Sequence, residues 1–257
     1  MLLSFPAWKR RRRRTATAAV ASNGQAQAAS NGQKGKVQIP SYAHLSNYTG
    51  LVREIMAYGE NGVKDGDRPA RTVGIVGCDT SRTRSRVAAE LAMQAASTAS
   101  QPVLLIDADA RRRTVTKRFH INGSPGWREV LTGQADTEKC VHLQDVGNLA
   151  VMSPGSPYAN EHEPVARPTP AGHEQLDEIK SDYGLVVVDM PPERDMEAVP
   201  AGAEWLDEMV LVVEAEHTRI QSAQRAKDML ERAGVHVTGV VLANRREHIP
   251  RWLYQRL

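Results

Sequence analysis

The chain has 257 residues, 41% of them hydrophobic and 25% charged, the balance of a globular protein with room for one large domain. No apolar run reaches the roughly eighteen residues that a membrane-spanning helix needs, and two cysteines, Cys78 and Cys140, exclude a disulfide-rich scaffold and lack zinc-site spacing. The formal charge of +3 is unevenly divided: residues 1–40 hold eight basic side chains and no acidic one, which leaves 25 basic against 30 acidic beyond them.

Met1–Trp8 is short and apolar, and Lys9 with Arg10–Arg14 follows it. A secretory leader has the reverse order, basic before apolar. Leu2, Leu3, Phe5 and Trp8 can instead enter a membrane interface while Arg10–Arg14 face anionic head groups. The same run suits polyphosphate or nucleic acid through counterion release, or a plain solubilising tail. Because the body is acidic, no specific nucleic acid is expected as a partner. Residues 15–37, rich in Ala, Ser, Gln, Asn and Gly, read as a flexible linker under each alternative.

A short helix is expected within Ser41–Tyr58, with Leu45, Tyr48, Leu51 and Ile55 on one face, and a polar Gly-rich loop over 59–71. The body then alternates. Strands are expected at Thr72–Val76, Pro102–Ile106, Asn148–Met152, Tyr183–Asp189, Met209–Val213 and Val237–Leu242. Helices are expected at Arg84–Ala99, Gly126–Leu131, Ala171–Ser181 and Ile220–Ala233, the last with Ala223, Ala226, Met229 and Leu230 inward. Such alternation implies an α/β three-layer sandwich with a mainly parallel sheet covered on both faces. Ligands of these sheets bind beyond the carboxyl ends of the strands.

The first such end is Gly77-Cys78-Asp79-Thr80-Ser81-Arg82-Thr83-Arg84-Ser85, between a strand and a helix. A phosphate-binding P-loop there needs glycines, whose backbone N–H groups wrap phosphate oxygens, a Lys for the β and γ phosphates, and a Ser or Thr for magnesium. Ser85 meets the last need. Arg84 stands at the Lys position, and Ser81 and Thr83 stand where glycines belong. A guanidinium fork is not a neutral exchange for an ammonium, although the loop can still hold an anion at a helix N-terminus. The second end, Asp107-Ala108-Asp109 followed by Arg111, Arg112 and Arg113, suits either magnesium and base chemistry or a solvated polar strand end. The third, Asp189-Met190-Pro191-Pro192, suits an outer-sphere magnesium carboxylate.

VLLIDADARRRTVTKRF closely resembles the second Walker motif of bacterial tyrosine kinases of the capsular and exopolysaccharide type, within the deviant P-loop superfamily of MinD and ParA. YGLVVVDMPP resembles the Walker B strand of that family and its Pro-Pro continuation. GWREVLTGQADTEKCV, GNLAVMSPGSP and TRIQSAQRAKDMLERAGVHVTGVVLANR resemble its later segments, so the likeness covers roughly residues 72–250. Composition and this likeness together divide the chain into a disordered basic tail and linker over 1–40, a helix and loop over 41–71, and a P-loop NTPase-like domain over 72–257.

The resemblance implies ATP and Mg2+ as ligands. Asp107 and Asp109 match the carboxylates of the second motif, Asp107 also as the group that orients a tyrosine hydroxyl, and Asp189 matches the Walker B carboxylate. Metal would fall to Ser85, Asp107 and Asp189. Nucleotide would fall to Gly77, Thr80, Ser81, Thr83, Arg84, Ser85, Arg86 and Asn244, with Arg84 neutralising developing phosphoryl charge. Arg111 and Arg112 match the basic pair after the motif. Three departures stand out: a Walker A loop without its glycines and Lys, no Glu-x-x-Arg-x-x-Arg oligomerisation pattern upstream, and no C-terminal tyrosine cluster. A regulatory relative with weakened or lost phosphotransfer is therefore expected. Its implied setting is the cytoplasm at the inner face of the membrane, its implied partner an inner-membrane polysaccharide chain-length or co-polymerase protein, and a homo-oligomer is open. The alternative is a non-enzymatic MinD/ParA-like positioning or scaffold protein.

Overall fold

The computed structural model describes residues 48–57, 71–78, 82–121, 123–157, 166–192, 205–232, 234 and 237–244. The expected tail and linker, Leu45, Thr80, Ser81 and nearly all of the 59–71 loop lie outside the described residues. Helix α1 (Thr49–Ala57) buries Val52 and Ile55, with Tyr48 and Leu51 packed partly against the same core.

Strand β1 (Arg71–Gly77) leads into α2 (Thr83–Thr98). The alanines of α2 favour helix and leave a low-relief face that lies close on a sheet. Val87, Ala88, Leu91, Ala92 and Ala95 are fully buried there. Strand β2 (Val103–Asp107) is followed by three short helices, α3 (Thr114–Arg118), α4 (Trp127–Leu131) and α5 (Thr137–Cys140). Next come β3 (Val141–Leu143), β4 (Leu149–Met152) and α6 (Pro170–Asp182), whose N-cap Thr169 accepts from the Gly172 N–H at 3.1 Å. The chain continues through β5 (Leu185–Asp189), β6 (Glu208–Glu214), α7 (Ile220–Arg232) and β7 (Val237–Ala243).

The strands form one seven-stranded sheet in the order β3-β4-β2-β5-β1-β6-β7. Strand β3 runs antiparallel to β4, and every other pairing is parallel. Strands β2 and β5 are buried at every position, as continuous apolar runs require in the middle of a covered parallel sheet. Each fully buried Val, Leu or Ile there contributes about 1.5–3 kcal/mol. One face packs Val73, Ile75, Leu105 and Val187 against α2, while the alternate residues Leu104, Ile106, Val186 and Val188 are buried on the other.

Two expectations need correction at the β7 end. Met229 is exposed rather than inward, since α7 buries Ala226 and Leu230 alone along that stripe. Val240 and Leu242, on the edge strand β7, are also exposed, at 59% and 56%. No helix among the described residues is long and apolar enough to cross a membrane.

Candidate functional site

Parallel register places the site. Asp107 at the end of β2 stands opposite Asp189 at the end of β5, and Ile75 of neighbouring β1 pairs with that same Asp189. Two carboxylates therefore emerge side by side at the carboxyl edge of the sheet, next to the segment that opens α2. Asp107, Asp109 and Asp189 are all essentially inaccessible to solvent.

Arg84 is drawn into this cluster. In the first turn of α2 it is 2% exposed, and its Nε donates to Asp189 Oδ1 at 2.7 Å. Its Nη2 donates to Asp109 Oδ2 at 2.9 Å and, more weakly, to Ser85 Oγ at 3.3 Å. The planar fork suits this bridging geometry, which an ammonium could not reproduce. Gly77 makes room for it, since a Cβ at that position would come within 3.3 Å of Arg84 Cβ. Among the described residues, Arg84 Nη1 and Asp189 Oδ2 are buried without hydrogen-bond partners.

The remaining carboxylate oxygens are held locally. Asp107 Oδ2 accepts from the Thr116 N–H at 2.9 Å and its hydroxyl at 2.8 Å, and Asp107 Oδ1 accepts from the Asp109 N–H at 3.2 Å. Arg112 reaches Asp109 Oδ2 from the solvent side at 3.2 Å, and the Arg112 N–H donates to Asp109 Oδ1 at 3.1 Å. Burial and the nearby Asp189 charge push Asp107 up to about 7 despite the Thr116 bonds. Burial likewise raises Asp189, although the Arg84 charge pulls it back. Burial alone would lower Arg84, but Asp189 and Asp109 outweigh it and hold the guanidinium charged more firmly than usual.

Beside the buried cluster opens a pocket of about 490 Å³ lined by Arg82, Thr83, Ser85, Arg86, Arg112, Thr114, Lys117 and Arg118. Among the described residues its wall carries five cationic side chains, three hydroxyls and no carboxylate. Asn244, at the end of β7, closes one side of the α2 terminus. It donates to Thr83 Oγ1 at 3.1 Å, contacts Glu214, and accepts from Arg86.

Of the sequence-derived candidates, Arg84, Ser85, Asp107, Asp109 and Asp189 meet in one cluster, with Gly77 beneath it. Thr83 and Arg86 join the pocket wall, and Asn244 adjoins it through both. Arg111 does not line the pocket. Sequence reasoning missed Arg82, quoted only as part of the loop, Thr116, which fixes Asp107, and on α3 the contribution of Thr114, Lys117 and Arg118. For the α3 residues the signal was that five-residue helix, too short for a periodicity reading, whose N-cap Arg113 takes a left-handed backbone at φ 51°.

No family model matches the chain. Among curated proteins, the tyrosine-protein kinase Ptk of Acinetobacter johnsonii is 29% identical over 143 residues, which are 54% of this chain and 19% of that protein. The chain thus spans about a fifth of the length of the first curated relatives it matches, 19–21%. Among solved structures, the kinase domain of the Escherichia coli tyrosine kinase ETK aligns with a TM-score of 0.62 at 22% identity, covering 88% of this chain and 86% of that one. The septum site-determining protein MinD of Pyrococcus horikoshii, complexed with Mg-ADP, aligns with a TM-score of 0.55 at 23% identity, covering 73% and 76%. The homologues are bacterial tyrosine kinases, as the motifs imply, and the fold is the α/β P-loop NTPase fold shared with MinD.

That kinship implies magnesium, and the residues present do not fit it. Of the expected ligands Ser85, Asp107 and Asp189, Ser85 Oγ and Asp189 contact the Arg84 guanidinium, which also holds Asp109, and Asp107 Oδ2 is taken up by Thr116. Among the described residues no set of three acidic, His or Cys side chains is arranged to hold a metal ion. The wall of the adjoining pocket does fit phosphate oxygens, through cations and hydroxyls alone.

Proposed function

We propose that the chain is a tyrosine-kinase-like P-loop protein of exopolysaccharide or capsule production, regulatory in role, with phosphotransfer weakened or lost. One observation carries this reading. Arg84, at the position from which a P-loop lysine reaches phosphate, is spent on Asp109 and Asp189 inside the fold. The phosphates of ATP or ADP would rest against Arg82, Arg86, Arg112, Lys117 and Arg118, with the hydroxyls of Thr83, Ser85 and Thr114 as further donors. Asp107 is fixed by Thr116 and screened from solvent, so it is poorly placed to meet an incoming tyrosine hydroxyl.

The cytoplasmic face of the inner membrane is the proposed setting, with a polysaccharide chain-length or co-polymerase protein as partner and Arg10–Arg14 against anionic lipid. The family resemblance and the basic run support this placement. Incubation of the full chain with γ-labelled ATP, with and without such a partner, tests the reading. Nucleotide binding without labelled tyrosine is expected. Rapid tyrosine labelling would overturn the regulatory assignment, and hydrolysis stimulated by anionic vesicles would favour a MinD-like positioning protein.

A further inference from the structure

We infer that the pocket binds polyphosphates in their metal-free form, Arg84 serving as a built-in cation at the place where a divalent ion would sit. The inference rests on the proposed reading that the pocket receives nucleotide phosphates, and it adds what that ligand must carry with it. Three observations converge on it. The guanidinium touches Ser85, Asp109 and Asp189 at once, so one fixed positive group already joins Ser85 and Asp189, two of the three groups expected to hold magnesium. With Arg84 98% buried among them, an entering divalent ion would have to displace a charge that two carboxylates hold in place. The described lining of the pocket, finally, offers five cations, of which Arg112 also reaches Asp109, and it includes no carboxylate to share a metal with the ligand.

Charge then sets the preference. A free triphosphate or pyrophosphate carries two more negative charges than its magnesium complex, and a wall of arginines and lysine favours the more anionic form. The recognised chemistry is the polyphosphate chain. Nucleoside diphosphates, nucleoside triphosphates and inorganic polyphosphates share it, and comparison among them separates a nucleotide site from a bare polyanion site.

The test is titration calorimetry of the full chain with ATP, ADP and inorganic tripolyphosphate, each in excess EDTA and in excess magnesium. Affinity in EDTA is expected to equal that in magnesium within about twofold or to exceed it. A Kd tightened about tenfold or more by magnesium would overturn the inference and leave the nucleotide reading standing. Failure of all three probes in both conditions would overturn the two together. A second arm uses Arg84→Ala, which frees the carboxylates. Magnesium alone is expected to raise the melting temperature of the variant and not that of the wild type. A wild-type shift with magnesium alone would contradict the inference, and the calorimetry decides even where Arg84→Ala fails to fold.

Discussion

Arg82, Arg84 and Arg86 stand at alternate positions, yet the start of α2 sends them to opposite fates. Arg84 lies inside the sheet edge, 2% exposed and bridged to two carboxylates, whereas Arg82 and Arg86 are exposed on a pocket wall whose described lining carries no carboxylate. The same side chain is structural in one setting and, in the proposed function, a ligand donor in the other. What differs is whether its countercharge comes from the fold. Buried charge is tolerable only when paired, so the inner arginine is bound to its aspartates before any ligand arrives. The outer ones keep their capacity for a ligand.

That contrast can be broken most forcefully from the inside. Arg84→Ala leaves Asp189 and Asp109 buried without their shared cation, and a loss of about 3–5 kcal/mol in denaturant unfolding is expected. A loss near that of an ordinary surface substitution would mean that Arg84 is not committed inward.

Proton linkage sharpens the same point with a smaller effect. Asp107 sits at about 7 in the fold against an ordinary 3.8, so folding strengthens its hold on a proton. Its stabilising contribution is full below pH 3.8, is lost as pH rises through about 7, and stays constant above that. A decline of up to about 4 kcal/mol across that window is expected from unfolding curves at a series of pH values. Asp107→Asn should flatten the decline. An unchanged slope in the variant would place its origin elsewhere.

Ser85→Ala comes next. The hydroxyl receives Arg84 Nη2 at a long 3.3 Å, so removing it should cost about 1 kcal/mol or less and leave nucleotide affinity equally insensitive to magnesium. A selective loss of affinity for the magnesium complex would assign Ser85 to a metal after all. Lys117→Ala is expected to have the smallest effect on stability, within about 0.5 kcal/mol, since the side chain is exposed. Its polyphosphate affinity should nevertheless weaken several-fold in calorimetry, and by less at high salt.

Much of this architecture was legible as apolar runs. Leu185–Asp189 and Val103–Asp107 could be read as central strands because no polar residue interrupts either before its terminal Asp. Equal placement of those two carboxylates follows from register, so the meeting of Asp107 with Asp189 was implicit in the pattern. The direction of Arg84 was not. A loop residue at the mouth of a helix can turn toward ligand or sheet, and the choice depends on the distant Asp189 and on the room above Gly77. Strand β3 escaped because Val141–Leu143 is three half-exposed residues at an antiparallel edge. Met229 was misplaced because α7 lies at the sheet margin and covers a stripe narrower than its apolar pattern suggests.

The most direct measurement is a manganese titration of the nucleotide-free full chain, followed by electron paramagnetic resonance, beside the same titration of Arg84→Ala. With Arg84 holding the carboxylates, the wild type should leave the signal of the free ion undiminished while the variant takes up manganese. Tight, stoichiometric uptake by the wild type would contradict the assignment of Arg84 as the resident cation of this site.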